Sequence, residues 1–219
     1  MPDEVSAGTR RLPVYMLLDC SGSMSGDAIE AVRMGLKSLR ADLQNDPQAL
    51  ETVWLSVITF DSSAKQVVPL TEIGAFQEPQ INATGTTCLG AALKLLMTCL
   101  DTEVRKTTPT QKGDWKPLVF IMTDGEPTDD WEKAADELKK KKIGNIIACA
   151  AGAAANDQKL KRITEVVIKM KDASSGTLGA FMKWVSASVT VTSTNVANKG
   201  DGPVNLPPLP VDQGIQIVP

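Results

Sequence analysis

The stretch that decides the fold is residues 13–19, Pro-Val-Tyr-Met-Leu-Leu-Asp, a run of apolar residues that ends in an acid. A short unbroken apolar run is typical of a strand that is buried on both faces, as in a parallel sheet. Residues 116–123, Lys-Pro-Leu-Val-Phe-Ile-Met-Thr, have the same character and are followed by Asp124. Both runs therefore predict buried strands that end in oxygen-bearing side chains.

Outward from these two runs, strands and helices alternate along the chain. Apolar residues at intervals of three and four predict helices, and short runs of branched residues predict strands. Two such runs lie on either side of Asp61-Ser62-Ser63, which predicts a hairpin and an antiparallel edge strand. The other expected elements are helices at 26–44, 88–101, 129–142, 157–164 and 177–189 and strands at 52–60, 64–70, 145–152 and 166–170. This order predicts an α/β fold with a doubly wound, mainly parallel sheet, one short antiparallel edge strand and helices on both faces.

Composition divides the chain into three parts. We expect an N-terminal segment over 1–11, a domain over 12–190 and a C-terminal arm or linker over 191–219. The arm is rich in Thr, Ser, Asn and Gly and then contains Leu206-Pro207-Pro208-Leu209-Pro210, which is typical of a polyproline II segment. Because it also carries large aliphatic residues, we expect it to dock as an extended strap, with a disordered spacer as the alternative.

Residue counts exclude several classes of protein. The 219 residues include no His, which excludes a Ser-His-Asp or Cys-His nucleophile and a His-ligated zinc. The formal net charge of −3 and the pI of about 5.1 do not suit a nucleic-acid groove. The first apolar run is too short for a signal peptide or a membrane span. We therefore expect a cytoplasmic protein. No Cys-x-x-Cys pair is present, which excludes a zinc ribbon and a thioredoxin-like motif. Four cysteines without evident partners in a domain of this size suit a reducing compartment; they are Cys20, Cys88, Cys99 and Cys149.

Three segments at predicted strand or helix ends carry oxygen-bearing side chains. Ligands of doubly wound sheets bind beyond the carboxyl ends of the strands, so we expect these segments to meet. Carboxylate and hydroxyl oxygens favour Mg²⁺, Mn²⁺ or Ca²⁺ over zinc, and Mg²⁺ is the ion that we expect. Each segment alone also suits a helix cap or a turn, so only their combination predicts a metal site. The segments are Asp19-Cys20-Ser21-Gly22-Ser23, Thr84-Gly85-Thr86-Thr87 and Thr123-Asp124-Gly125.

In these residues the sequence resembles the von Willebrand factor A (vWA) domain family, whose metal-ion-dependent adhesion site (MIDAS) reads Asp-x-Ser-x-Ser, then Thr, then Asp. The resemblance implies that the two Ser hydroxyls ligate a divalent cation directly and that the two acids act mostly through water. It also implies that an acidic residue of a partner protein completes the coordination. Thr86 stands where the family has a second Gly, which leaves Thr86 as an alternative to Thr87. The implied metal site is Asp19, Ser21, Ser23, Thr87 and Asp124.

Three stretches, 18–24, 122–129 and 181–186, are similar to the bacterial TerY-like tellurium-resistance subgroup of this family. That resemblance implies a protein-binding module, not an enzyme, in a tellurite- or stress-resistance system alongside kinase-like or phosphatase-like proteins. The alternative is a Mg²⁺-dependent phosphatase-like or phosphoryl-accepting protein that uses Asp19. Against it, Ser21 stands where dehalogenase-like phosphatases carry the acid that serves as general acid.

Two further groups of residues have both a structural and a functional interpretation. The acids Glu126, Asp129 and Asp130 are expected to begin a helix, and a charged rim facing a partner is the alternative. Trp115 and Trp131 are expected to pack in the core, and anchoring of a partner is the alternative.

Overall fold

The computed structural model describes residues 10–152, 155–199 and 206–219. Within these ranges the chain forms seven strands and six α-helices. The strands are β1 (Leu12–Asp19), β2 (Val53–Phe60), β3 (Ala64–Glu72), β4 (Leu118–Thr123), β5 (Asn145–Ala151), β6 (Val166–Met170) and β7 (Ile215–Ile217). The helices are α1 (Asp27–Asn45), α2 (Pro47–Thr52), α3 (Leu89–Glu103), α4 (Glu132–Leu138), α5 (Asp157–Lys161) and α6 (Ser175–Lys199).

All seven strands belong to one sheet with the order β3-β2-β1-β4-β5-β6-β7. The five strands β2, β1, β4, β5 and β6 are parallel, and β3 and β7 are antiparallel edge strands. The predicted α/β class with a mainly parallel sheet is therefore confirmed, and β7 adds a second antiparallel edge that we did not predict.

Strand β1 is apolar up to its last residue, Asp19, because it is covered on both faces. Val14 and Met16 belong to one core, and Tyr15 and Leu17 belong to the other. Successive side chains of a strand point to opposite faces, so an unbroken apolar run fills both cores at once. Helices α1 and α6 pack together on one side of the sheet, and α3 packs with α4 on the other.

Helix α4 is shorter than the predicted span 129–142. It begins at Glu132 and ends at Leu138, and Lys139–Lys142 follow it in a turn. Asp129 lies outside α4, because its carboxylate accepts hydrogen bonds from the backbone N–H groups of Gly90 and Ala91 at 2.9 Å. An acid that we assigned to the start of one helix thus stabilises the start of another, α3.

Helix α6 extends to Lys199, whereas we predicted a helix over 177–189 followed by a linker. The Ser and Thr residues near its end favour a loop, but several of their hydroxyl groups form hydrogen bonds within the packed helix or with α2. Ser188 and Thr192 donate to carbonyls one turn earlier, and Ser193 bonds Thr52 of α2 at 2.8 Å. Among the described residues no helix combines the length and the apolarity needed to cross a membrane.

The end of the chain lies against its own domain. Residues of β7 pair with β6, and the Trp184 indole N–H donates to the Pro207 carbonyl at 2.9 Å. Ile215 is fully buried, and Leu206 and Leu209 pack against the same core. Over 206–219 the arm is therefore a docked strap, while residues 200–205 of the predicted arm lie outside the described part of the chain.

Candidate metal site

Three loops meet where the strand order reverses, beyond the carboxyl ends of β1 and β4. Backbone hydrogen bonds hold the loops together. The Thr84 N–H donates to the Cys20 carbonyl at 2.8 Å, and the Gly22 N–H donates to the Gly85 carbonyl at 3.0 Å. The Thr128 N–H donates to the Thr87 carbonyl at 2.9 Å, which joins the loop after β4 to the segment before α3. The structure thus brings all three predicted segments to one edge of the sheet, the usual ligand site of this topology.

Asp19 is fully buried at the end of β1, and both of its carboxylate oxygens accept hydrogen bonds. Oδ1 accepts from the Ser21 backbone N–H at 2.8 Å, and Oδ2 accepts from the Thr123 hydroxyl at 2.5 Å. These bonds fix the carboxylate and the loop that follows it. We did not include Thr123 among the site residues. The sequence signal that could have identified Thr123 is its place at the end of the neighbouring strand, directly before Asp124.

Ser21, Ser23 and Asp124 form a continuous chain of oxygen atoms. The two Ser Oγ atoms lie 3.0 Å apart, and the Ser23 hydroxyl donates to Asp124 Oδ1 at 2.7 Å. Adjacent ligands of an octahedral Mg²⁺, with bonds of about 2.1 Å, are about 3.0 Å apart. The Ser pair therefore has the spacing of two adjacent ligands of such an ion. Ser21 is buried, and Ser23 is exposed at the mouth of the site.

The two candidate threonines face different surroundings. Thr87 is buried, and a Cβ atom built on Gly125 would lie 3.0 Å from Thr87 Oγ1 and 3.9 Å from Ser23 Oγ. Gly125 therefore leaves open a small space beside both hydroxyls. The Thr86 hydroxyl instead bonds Ser62 Oγ at 3.3 Å on the exposed outer side. This geometry favours Thr87 over Thr86 as the residue that contributes to the site.

The site holds two carboxylates whose ionisation is disfavoured. Burial raises the pKa of Asp19, although hydrogen bonds from Thr123 and Ser21 oppose the shift. Burial also raises the pKa of Asp124, where the Ser23 hydrogen bond opposes it and the charge of Asp19 adds to it. A nearby cation would favour the charged form of both groups. Across the described ranges no three Asp, Glu or Cys side chains converge as metal ligands, so a cation here would need the hydroxyls.

The residues around the mouth have mostly structural partners. Glu126 pairs with Lys159 of α5, and Asp129 caps α3, so neither is a free acid of the rim. Trp131 and Trp115 are buried, in line with the core interpretation. Cys20 is also buried, which raises the pKa of its thiol to about 12.

Comparison with known proteins assigns the family. The model of the von Willebrand factor type A domain matches residues 14–181. The chain belongs to this family. Among curated proteins none matches the sequence.

Solved structures share the fold at low sequence identity. A von Willebrand factor type A protein from Catenulispora acidiphila is 18% identical with a TM-score of 0.62, covering 83% of this chain and 43% of that one. The pilus adhesin SpaC from Lactobacillus rhamnosus GG is 16% identical with a TM-score of 0.67, covering 84% and 30%. Proximal thread matrix protein 1 of the mussel byssus, in a structure with a zinc-occupied MIDAS motif, is 20% identical with a TM-score of 0.59, covering 86% and 47%. The chain therefore spans less than half the length of these proteins.

Proposed function

We propose that this chain is a metal-dependent protein-binding module. Ser21 and Ser23 would ligate a divalent cation directly, Thr87 would contribute its hydroxyl, and Asp19 and Asp124 would orient these groups and the ligand waters. Such an ion supplies an electrophilic position that an acidic side chain of a partner protein can occupy. Mg²⁺ is the cation that we favour, with Mn²⁺ and Ca²⁺ as alternatives.

The observation that carries this proposal is the 3.0 Å separation of the two Ser hydroxyls beside two buried carboxylates. Hydroxyls are neutral ligands, so they leave the charge of the ion largely available to an incoming carboxylate. The zinc in the mussel protein's MIDAS motif is further support for a cation at this position of the fold.

The setting of this module is proposed from the resemblance to the TerY-like subgroup alone. We place the chain in a bacterial tellurite- or stress-resistance system, in the cytoplasm, with kinase-like or phosphatase-like proteins among its candidate partners. Direct contact with tellurite is not part of the proposal.

The geometry of Asp19 weighs against the phosphatase-like alternative. A phosphoryl acceptor needs an accessible oxygen, whereas Asp19 is fully buried and both of its oxygens accept hydrogen bonds. We therefore propose a role in binding without catalysis. Turnover of a generic phosphatase substrate by the wild-type chain, abolished in Asp19→Asn, would contradict this assignment.

The first test is the thermal stability with and without metal. An ion that binds only the native state adds about 2.7 kcal/mol at a hundredfold excess over its Kd. For a chain of 219 residues this corresponds to a rise in Tm of about 5–11 °C. Ser21→Ala should abolish the rise, while Ser25→Ala, an exposed serine of the same loop, should keep it. Identical wild-type melting curves in excess Mg²⁺ and in chelator would refute a metal site of useful affinity.

A second variant tests the open space beside Thr87. Gly125→Ala places a methyl group 3.0 Å from Thr87 Oγ1, so it should weaken the metal-induced rise in Tm without changing any charge. Gly176→Ala is the matched control, because a Cβ there has no neighbouring atom within 4 Å. An undiminished metal response of Gly125→Ala would remove Thr87 from the proposed ligands.

Partner binding should depend on the same ion. Proteins captured by the wild-type chain in Mg²⁺ should be released by chelator and should not bind Ser21→Ala. A partner that remains bound in both conditions uses another surface, and that result would contradict the proposed mode of recognition.

A further inference from the structure

A cavity lies beside the amino end of β4, at the opposite end of the strands from the candidate metal site. It has a volume of about 630 Å³, within the range of about 300–1,000 Å³ that is usual for small-molecule sites. It is bounded by the C-terminal part of α3, the segment before β4 and the turn after α4. Neither the family assignment nor the proposed metal site uses this cavity.

The cavity is strongly basic although the chain as a whole carries a net charge of −3. Six of its lining residues are Lys or Arg, and two are Asp. Both acids are already paired, because Asp101 contacts Lys141 at 2.6 Å and Asp114 contacts the buried Arg11 at 2.6 Å. The acids therefore do not neutralise the remaining bases.

Five of the six cations that line the cavity form no ion pair with a described residue, although the Arg105 guanidinium lies 5.9 Å from the centre of the Trp54 ring. They come from three separate segments, so proximity in sequence does not explain why they converge. Helix C-termini favour nearby cations, which accounts for the bases that follow α3 and α4. It does not account for Lys116, which precedes β4. The five are Arg105, Lys106, Lys116, Lys140 and Lys142.

The loop that carries Lys116 is held in place by several hydrogen bonds. The Arg105 N–H donates to Asp114 Oδ2 at 2.8 Å, and the Trp115 N–H donates to the Arg11 carbonyl at 2.9 Å. The Arg10 guanidinium lies 5.1 Å from the centre of the Trp115 ring. These contacts fix the backbone around Arg105 and next to Lys116.

Trp115 adds an unpaired polar group to the wall of the cavity. The residue lines the cavity and is 7% exposed, and its indole N–H is buried with no hydrogen-bond partner among the described residues. Such unsatisfied buried donors are uncommon in native proteins. Because the nitrogen has almost no exposed surface, a ligand oxygen would reach this donor only after neighbouring side chains move.

We propose that this cavity binds a small ligand with linked phosphate groups, such as inorganic tripolyphosphate or the triphosphate of a nucleotide. A multiply charged anion matches a cavity lined by five cations that form no ion pair, and Lys and Arg donors form charge-assisted hydrogen bonds with phosphate oxygens. Leu100, Val104 and Pro117 add apolar surface that the base of a nucleotide would bury. The proposal does not depend on the metal site at the other end of the strands.

The experiment is a binding titration of the full chain with tripolyphosphate and, separately, with ATP, both in chelator at low salt. We expect saturable binding of at least one of them, weakened by added salt because the contacts are ionic. Tighter binding of ATP would identify the nucleotide as the source of the phosphates, and equal binding would identify the phosphate chain alone. Failure of both ligands to bind would overturn the proposal.

A matched pair of double variants locates the site. Lys116→Ala with Lys142→Ala should weaken binding at least tenfold, which is about 1.4 kcal/mol. Lys133→Ala with Lys139→Ala removes the same charge from exposed positions outside the cavity and should have little effect. Equal losses in the two double variants would show a non-specific charge effect and refute the site. Melting curves of both variants check that they fold, which is expected because all four lysines are exposed.

Two further measurements test where the anion binds and whether a macromolecule binds there instead. The indole N–H resonance of Trp115 should shift on binding, while that of Trp184, which donates to the Pro207 carbonyl, should not. If a single-stranded oligonucleotide binds and neither small anion does, these basic residues form a surface for a macromolecule, and the small-ligand proposal is wrong. Ser21→Ala should bind the anion as the wild type does, so a failure of the metal site would leave this test intact.

Discussion

Replacing Ile215 by alanine should destabilise the domain although the residue lies in the C-terminal arm. Ile215 is fully buried and packs in the core that also contains Met170, its partner across β6 and β7. Truncation of a buried Ile to Ala costs about 2–5 kcal/mol. Because β7 is a three-residue edge strand that can relax, we expect the lower half of this range, about 2–3 kcal/mol.

The matched control is Ile217→Ala in the same strand. Ile217 is 58% exposed, so its truncation should change the free energy of unfolding by no more than about 0.5 kcal/mol. Thermal unfolding of both variants measures the difference. For this chain length about 2–3 kcal/mol corresponds to a fall in Tm of about 4–12 °C for Ile215→Ala. Equal and small effects of the two substitutions would refute the docking of the strap on its own domain.

Two further predictions concern the end of the sheet where the candidate metal site lies. Asp129→Ala should lower stability by about 2 kcal/mol because two N–H groups of α3 lose a charged acceptor, whereas exposed Asp130→Ala should change it little in the same urea titration. Burial raises the pKa of Asp19 and of Asp124. Without metal, the protonated carboxyl groups therefore stabilise the fold at pH values below the ordinary carboxyl pKa. This contribution is lost as the pH rises through the raised pKa values. Because a cation favours the ionised form of both groups, the metal-induced rise in Tm should grow as the pH rises above the ordinary carboxyl pKa of about 4. A rise that is larger at the acidic end would contradict the proposed role of the carboxylates.

The sequence alone was sufficient for the parallel core of the fold. Strands β1 and β4 are buried on both faces, so each is a continuous apolar run that ends in a polar residue. Helix α2 was not predicted, although its start is marked by local contacts: Asp46 accepts a hydrogen bond from the Ala49 N–H, and Pro47 occupies the first turn. These signals are local, since burial and capping both depend on residues that are close together in the chain.

Helix lengths depended on distant contacts. The end of α6 is rich in Ser and Thr, which favour loops, but Val189 and Val196 are buried and Ser193 bonds Thr52. Asp129 was predicted in the first turn of α4, yet its carboxylate oxygens accept hydrogen bonds from the start of α3. Propensity cannot anticipate either case, because the partner that decides the outcome is remote in sequence.

The metal-site residues divide in the same way. The pattern Asp19-x-Ser21-x-Ser23 by itself predicted a turn after β1 that holds oxygen-bearing side chains, and the structure shows the Asp19 carboxylate accepting from the N–H two residues later. Only the tertiary structure showed that Thr87 is buried beside Gly125 while Thr86 contacts Ser62, and only it placed the Thr123 hydroxyl against Asp19. The physical reason is that hydrogen-bond partners within a turn are set by the local backbone, whereas the direction of a side chain across three loops is set by how the sheet and its helices pack.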